Sequence, residues 1–153
     1  MNLAPARPLT ILEQVATRHA VTAQQKGISL RVIGEANLPA VLVDLERITQ
    51  VFDNLVLNAF RYTPAGGEVD LSVNRVSGAV LFQVKDNGSG IATDDLPFVF
   101  DRFYKGDKSR HQNGESGLGL AIAKSIVTIH GGTIEAKSSA GLGTTFSICL
   151  PLK

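Results

Sequence analysis

"DNLVLNAFRY", residues 53–62, decides how the rest of the chain is read. It continues an apolar pattern of helical period, and yet it carries two asparagines one turn apart. At about 100° per residue, Asn58 lies roughly 40° round from Asn54, Arg61 roughly 20° the other way and Tyr62 roughly 80° round. These four side chains share one face. An amide buried without partners costs about 1–3 kcal/mol, so the stripe implies polar company.

Working outward, the helix that holds the stripe is expected from Leu45 to Tyr62, with Asp44 as its N-cap after "LPAVLVD", and with Pro64, Gly66 and Gly67 ending it. Upstream, "PLTILEQVATRHAVTAQQKG" predicts a helix over Pro8 to Lys26, with Thr10 and Glu13 as a capping box and Gly27 as the stop. Between the helices, "ISLRVIG" alternates Ile28, Leu30 and Val32 as a half-buried strand. Downstream, Val69, Leu71 and Val73, then Val80, Phe82 and Val84, read as a hairpin around Ser77-Gly78. Asp94 to Phe103 suggests a short helix, and Tyr104 to Ser116, polar and without period, a mobile loop. "LGLAIAKSIVTIHGG" predicts a third amphipathic helix, followed by strands Thr133 to Lys137 and Thr144 to Leu150. Strands grouped with helices between them and joined partly by hairpins imply an α+β fold, a mixed sheet with helices on one face. No internal repeat interrupts the pattern.

Bulk properties narrow the function classes. A chain of 153 residues, 44% hydrophobic, buries one sizeable core and is read as a single domain over residues 1–153. A net charge of +1 leaves no basic footprint for nucleic acid and no acidic tail. The single cysteine, Cys149, lies in an alternating apolar run and is read as a small core residue in a reducing compartment. No run nears the roughly 18 apolar residues of a spanning helix, and Met1 to Thr10 lacks a signal-peptide core. The chain reads as soluble, and is compatible with being one piece of a membrane receptor.

Three short motifs carry chemistry. "VKDNGSGI" sets Asp86 at a strand end beside Gly88 and Gly90, which would let the backbone approach a ligand near a fixed carboxylate; a plain Asp-Asn-Gly turn explains the segment equally well by itself. "GESGLGLAI" runs Gly114, Gly117 and Gly119 into a helix start, where free N–H groups favour phosphate. It is not the dinucleotide fingerprint, because no parallel βαβ unit with an acidic residue about 20 positions on fits around it. "GLGTTF", residues 141–146, reads alone as a hairpin turn.

Taken in order, the asparagine-bearing helix, Asp-x-Gly-x-Gly, the aromatic "FDRFYKGDKSR", Gly-x-Gly at a helix start and Gly-Thr-Thr-Phe resemble the catalytic and ATP-binding domain of sensor histidine kinases. The resemblance spans about Leu9 to Leu150 and implies the Bergerat fold, a two-layer α/β sandwich of about five mixed strands under three helices. It implies Mg2+ and ATP as ligands. Asp86 matches the carboxylate that accepts from the adenine amino group, with Gly88, Gly90 and Ile91 lining the base pocket and Thr144 as a water-mediated or direct base contact. Asn58 matches the residue that holds Mg2+ on the triphosphate, Asn54 its partner one turn earlier and Tyr62 the ring packed on adenine. Phe100 and Phe103 match an aromatic box anchoring an ATP lid at about residues 104–116. Lys105 matches a lid cation for phosphate, with a catalytic part alongside Asn54, and Gly117, Leu118, Gly119 and Leu120 match the helix entry that cradles phosphates. Arg61 stands where the family often has Lys or His, with the charge kept and the fork geometry changed.

The same resemblance implies a γ-phosphoryl donor. Its partners would be a separate helical dimerisation domain bearing the acceptor histidine and, downstream, a response regulator, in the cytoplasmic part of a membrane-anchored kinase. The dimerisation and sensor parts are absent from these residues. His19, His111 and His130 are scattered, outside any Ser/Thr-His-Glu-like helical sequence, and are read as incidental to the chemistry. Gyrase-type, mismatch-repair and chaperone ATPases and anti-sigma-factor serine kinases share Asn58 and the Asp-x-Gly motif. They carry a glutamate as general base where this chain has Asn54, and a neutral amide suits a nucleophile that needs little activation. A degenerate nucleotide-dependent interaction module is the third reading.

Overall fold

The computed structural model describes residues 1–101 and 119–152. Strand β1 (Ala4–Ala6) leads into helix α1 (Pro8–Lys26), then β2 (Ser29–Gly34), β3 (Val41–Val43) and helix α2 (Leu45–Tyr62). β4 (Glu68–Val76) and β5 (Ala79–Asp86) form the hairpin, with Ser77 at φ 48° in its turn. Helix α3 (Gly119–Ile129), β6 (Thr133–Ser139) and β7 (Gly143–Pro151) complete the described chain.

The main sheet has the order β2-β4-β5-β7-β6, with β2 and β4 parallel and every other pair antiparallel. A parallel pair needs a long crossover, and α2 lies within it. Helices cover one sheet face. Along β4, β5 and β7, Val69, Leu71, Val73, Val80, Phe82, Val84, Phe146, Ile148 and Leu150 point into the core against Ile11, Leu12 and Val15 of α1 and Phe52, Leu55 and Val56 of α2. Phe52 and Phe82 meet at 5.1 Å between ring centres, joining helix layer to sheet. The α+β two-layer expectation holds, as do the bounds of α1 and α2.

Four local expectations are corrected. Thr10 and Glu13 do not cap α1: Pro8 already stands in its first turn, where a missing N–H is harmless, and Arg7 is an N-cap without a side-chain bond. Of the helix expected over Asp94 to Phe103, the described part holds one 3-10 turn, Leu96–Phe98. Val41–Val43 is a strand, paired with β1 in a small antiparallel sheet, where only a lead-in to Asp44 was expected. Cys149 alternates onto the open face of β7 and is half-buried; the core neighbours on that strand are Ile148 and Leu150.

Helix ends agree better. Gly27 closes α1 at φ 72°, its N–H bonded to Ala23 and Gln24 carbonyls, and the Asp44 carboxylate accepts from the Arg47 N–H at 3.3 Å. The open face is polar. Arg31 forks onto Asp70 with two bonds of 2.9 Å, and the Gln83 amide donates to Ser147 at 3.1 Å. Among the described residues no helix is long and apolar enough to cross a membrane.

Candidate nucleotide site

The last residue of β5 is Asp86, set by register between Val69 of β4 and Thr144 of β7. It is 3% exposed. Its Oδ1 accepts from the Gly88 N–H at 2.9 Å and the Thr144 N–H at 3.3 Å, and Oδ2 has no partner among the described residues. Burial pushes the carboxyl above the usual carboxylate range, and the two N–H donors partly offset it. A buried acceptor with one oxygen in reserve suits a ligand N–H.

Around it the backbone closes tightly. A side chain at Gly88 would run into the Tyr62 carbonyl, and one at Gly143, where φ is 113°, into the Asp86 carbonyl. The Ser89 N–H donates to the Tyr62 carbonyl at 3.0 Å, tying the loop to the end of α2, and the Gly141 N–H donates to the Ser89 carbonyl at 2.7 Å. These glycines serve close approach of backbone to backbone within the protein, where the motif had suggested approach to a ligand. Ile91 is half-buried against the core edge, and its N–H donates to the Ser138 hydroxyl at 2.6 Å.

The stripe on α2 forms the other end. Asn54 donates from its amide to the Gly119 carbonyl at 3.0 Å, so part of its polar company is the first residue of α3. Asn58 is half-buried and makes no side-chain hydrogen bond among the described residues. The Arg61 guanidinium lies 5.6 Å from the centre of the Tyr62 ring. Leu120 packs at the core edge, and Phe100 meets Phe146 edge-on at 6.0 Å while Lys124 sits over its ring at 5.7 Å. Phe103, Lys105, Gly117, Leu118 and the lid expected over residues 104–116 lie outside the described residues.

Two histidines serve the scaffold. His19 bonds the Asp53 carboxylate at 2.8 Å, together with Arg18, and so joins α1 to α2; His130 takes the Asp44 N–H on Nε2 at 3.0 Å and faces the Ile126 carbonyl through Nδ1 at 2.8 Å. Sequence reasoning missed Ser138 and the side chain of Asn87. Asn87 accepts from the Glu68 N–H at 2.8 Å and so pins β4 to the loop after β5. Ser138 was lost because β6 was expected to end at Lys137, and a lone serine past a strand end gives no signal.

Nothing in this geometry resembles an all-protein metal cage: among the described residues no three His, Cys, Asp or Glu gather. An amide such as that of Asn58 fits a hard cation that keeps its waters and is held chiefly by phosphate oxygens.

Comparison with known proteins shows the family and the fold. Residues 43–153 match the family model described as histidine kinase-, DNA gyrase B-, and HSP90-like ATPase. The chain is 44% identical over 142 residues to the sensor histidine kinase WalK of Bacillus subtilis (strain 168), covering 91% of this chain and 23% of WalK. The crystal structure of full-length ShkA in complex with AMPPNP is similar at TM-score 0.88 and 31% identity, over 99% of this chain and 31% of ShkA. Histidine kinase ThkA, solved with the response regulator TrrA, shares the fold at TM-score 0.82 and 22% identity, over 99% of this chain and 42% of ThkA. The chain thus spans less than half the length of each of these proteins.

Proposed function

The chain belongs to the histidine kinase-, DNA gyrase B-, and HSP90-like ATPase family, as a catalytic domain of the sensor histidine kinase type, and from that premise we propose that it binds Mg-ATP and donates the γ-phosphoryl group to a histidine on a separate helical domain. The observation that carries this is Asp86, buried with Oδ1 held by two backbone N–H groups and Oδ2 in reserve. That oxygen accepts one proton of the adenine amino group. Gly88 and Gly90 let the loop after Asp86 pack against the Tyr62 and Ser139 carbonyls and so shape the pocket, Ile91 and Thr144 flank the base, and the Tyr62 ring packs on its face. The nucleotide in ShkA supports the same use here.

At the other end, Asn58 would hold Mg2+, which supplies neutralising charge on the triphosphate oxygens. Arg61 and the helix entry at Gly119 and Leu120 favour phosphate, as the resemblance also assigns to Gly117, Leu118 and Lys105. Asn54 offers no base, because an amide takes up no proton near neutrality; the acceptor must bring its own lone pair, as a neutral imidazole does. Positioning and charge stabilisation then supply most of the rate. The partners proposed are the phosphoacceptor and dimerisation domain of the same kinase and a response regulator downstream.

The test is incubation with γ-labelled ATP, alone and with the helical domain of the parent kinase, followed by assay of acid-labile, alkali-stable phosphoprotein. Label should reach the added domain only, and Asn58→Ala should abolish it. Rapid phosphate release by the chain alone, with no transfer, would favour an ATPase of the gyrase or chaperone kind.

A further inference from the structure

Ser138 Oγ makes three polar contacts, and together they fix the direction of every proton in the group. It accepts from the Ile91 N–H at 2.6 Å, donates to the Gly143 carbonyl at 2.9 Å and lies 2.9 Å from Thr144 Oγ1. A hydroxyl has one proton and two acceptor positions. The Ile91 amide can only donate and the Gly143 carbonyl can only accept. All three contacts are satisfied in one arrangement alone, in which Thr144 gives its proton to Ser138. Thr144, 4% exposed, is then left with lone pairs to offer anything else, and its N–H is already on Asp86 Oδ1 at 3.3 Å.

Resting on the ATP-binding reading above, we infer that Ser138 is a positioning residue that holds Thr144 as an acceptor beside Asp86, and so sets the preference for a 6-amino over a 6-keto purine. Ser138 acts through its neighbours. With Thr144 Oγ1 and Asp86 Oδ2 both acceptors, the pocket matches a 6-amino group, which has two protons to give directly or through a bridging water. A 6-keto oxygen meets lone pairs. The hydroxyl also pins Ile91, so the same atom sets one wall of the pocket and the polarity of another.

The experiment is calorimetric titration of ATP and of inosine triphosphate, which differs at the 6-position edge and lacks no phosphate, into the 153-residue chain and its variants at fixed Mg2+. In Ser138→Ala, Thr144 keeps its proton and can turn it into the pocket. The ratio of ATP to inosine triphosphate affinity should fall by about tenfold, the equivalent of one hydrogen bond of this kind changing sign. Ser138→Thr, which keeps the hydroxyl, should retain the ratio. A structural role alone would weaken both nucleotides equally; an unchanged ratio in Ser138→Ala overturns the inference. If circular dichroism shows that Ser138→Ala does not fold, Ser138→Cys, whose thiol is a poor donor and acceptor, is read by the same criterion. A wild-type chain that binds neither nucleotide would instead remove the ATP-binding reading, and this inference with it.

Discussion

Asp86 and Asn58 stand at the two ends of the proposed site, and their surroundings are built in opposite ways. Around Asp86 the protein is nearly complete: the carboxylate is buried, Oδ1 is bonded twice, and the glycine backbones of residues 88 and 143 press against neighbouring carbonyls. Around Asn58 the side chain is half-buried and makes no hydrogen bond among the described residues, while a Cβ added at Gly119 would meet Asn54 only at ordinary contact distance, 3.8 Å. The proposed base end is a preformed socket, where specificity would come from what the walls exclude. The proposed phosphate end presents polar groups that a ligand would have to satisfy.

Paired glycine substitutions break this comparison most sharply. Gly143→Ala, at φ 113° and against the Asp86 carbonyl, should lower stability by about 2–4 kcal/mol, read as a shifted denaturant midpoint with an unchanged slope. Gly119→Ala should be neutral or stabilising, by up to about 1 kcal/mol, because the position is helical and roomy. Equal losses would mean that the two ends are packed alike.

Asp86→Asn sharpens it next. The variant should lose at least roughly tenfold in ATP affinity and yet fold at least as well near neutral pH. The folded carboxyl holds its proton more tightly than the unfolded one, because burial outweighs its two donors. The stability linked to that proton is therefore full below the ordinary carboxylate range and is lost as pH rises through the raised value. Thermal melts from acid to neutral pH should show that decline in the wild type and lose it in Asp86→Asn.

The smallest effect tests the scaffold behind both ends. Asp53→Ala removes the bonds from Arg18 and His19 that tie α1 to α2 and should cost about 1 kcal/mol, with ATP affinity unchanged within about twofold. A larger loss of affinity would place this clamp inside the site.

What the sequence disclosed follows the same division. Periodicity located α1 and α2 to the residue and the main sheet strand by strand, because Ile48, Val51, Phe52, Leu55 and Val56, or Val80, Phe82 and Val84, repeat with the period of the element they build. Glycine spacing marked Gly88 and Gly90 as positions of close approach, although the observed neighbours are the Tyr62 and Ser139 carbonyls and not a ligand. Short strands without a repeat, such as Val41–Val43, stayed hidden since three residues define no period. So did the N-cap of α1, which is Arg7, three residues before Thr10, and the face of Cys149, which a one-residue shift decides. Ser138, Asn87 and the Asn54 bond to Gly119 depend on contacts across distant parts of the chain, which no local pattern encodes.

The most direct test of the socket at Asp86 is a pair of calorimetric titrations, ATP and GTP, into the unmodified chain. A charged hydrogen bond to the 6-amino group, about 1.5–3 kcal/mol, predicts that ATP binds at least roughly tenfold tighter than GTP, whose carbonyl oxygen would face the carboxylate. Equal affinities for the two nucleotides would contradict the account.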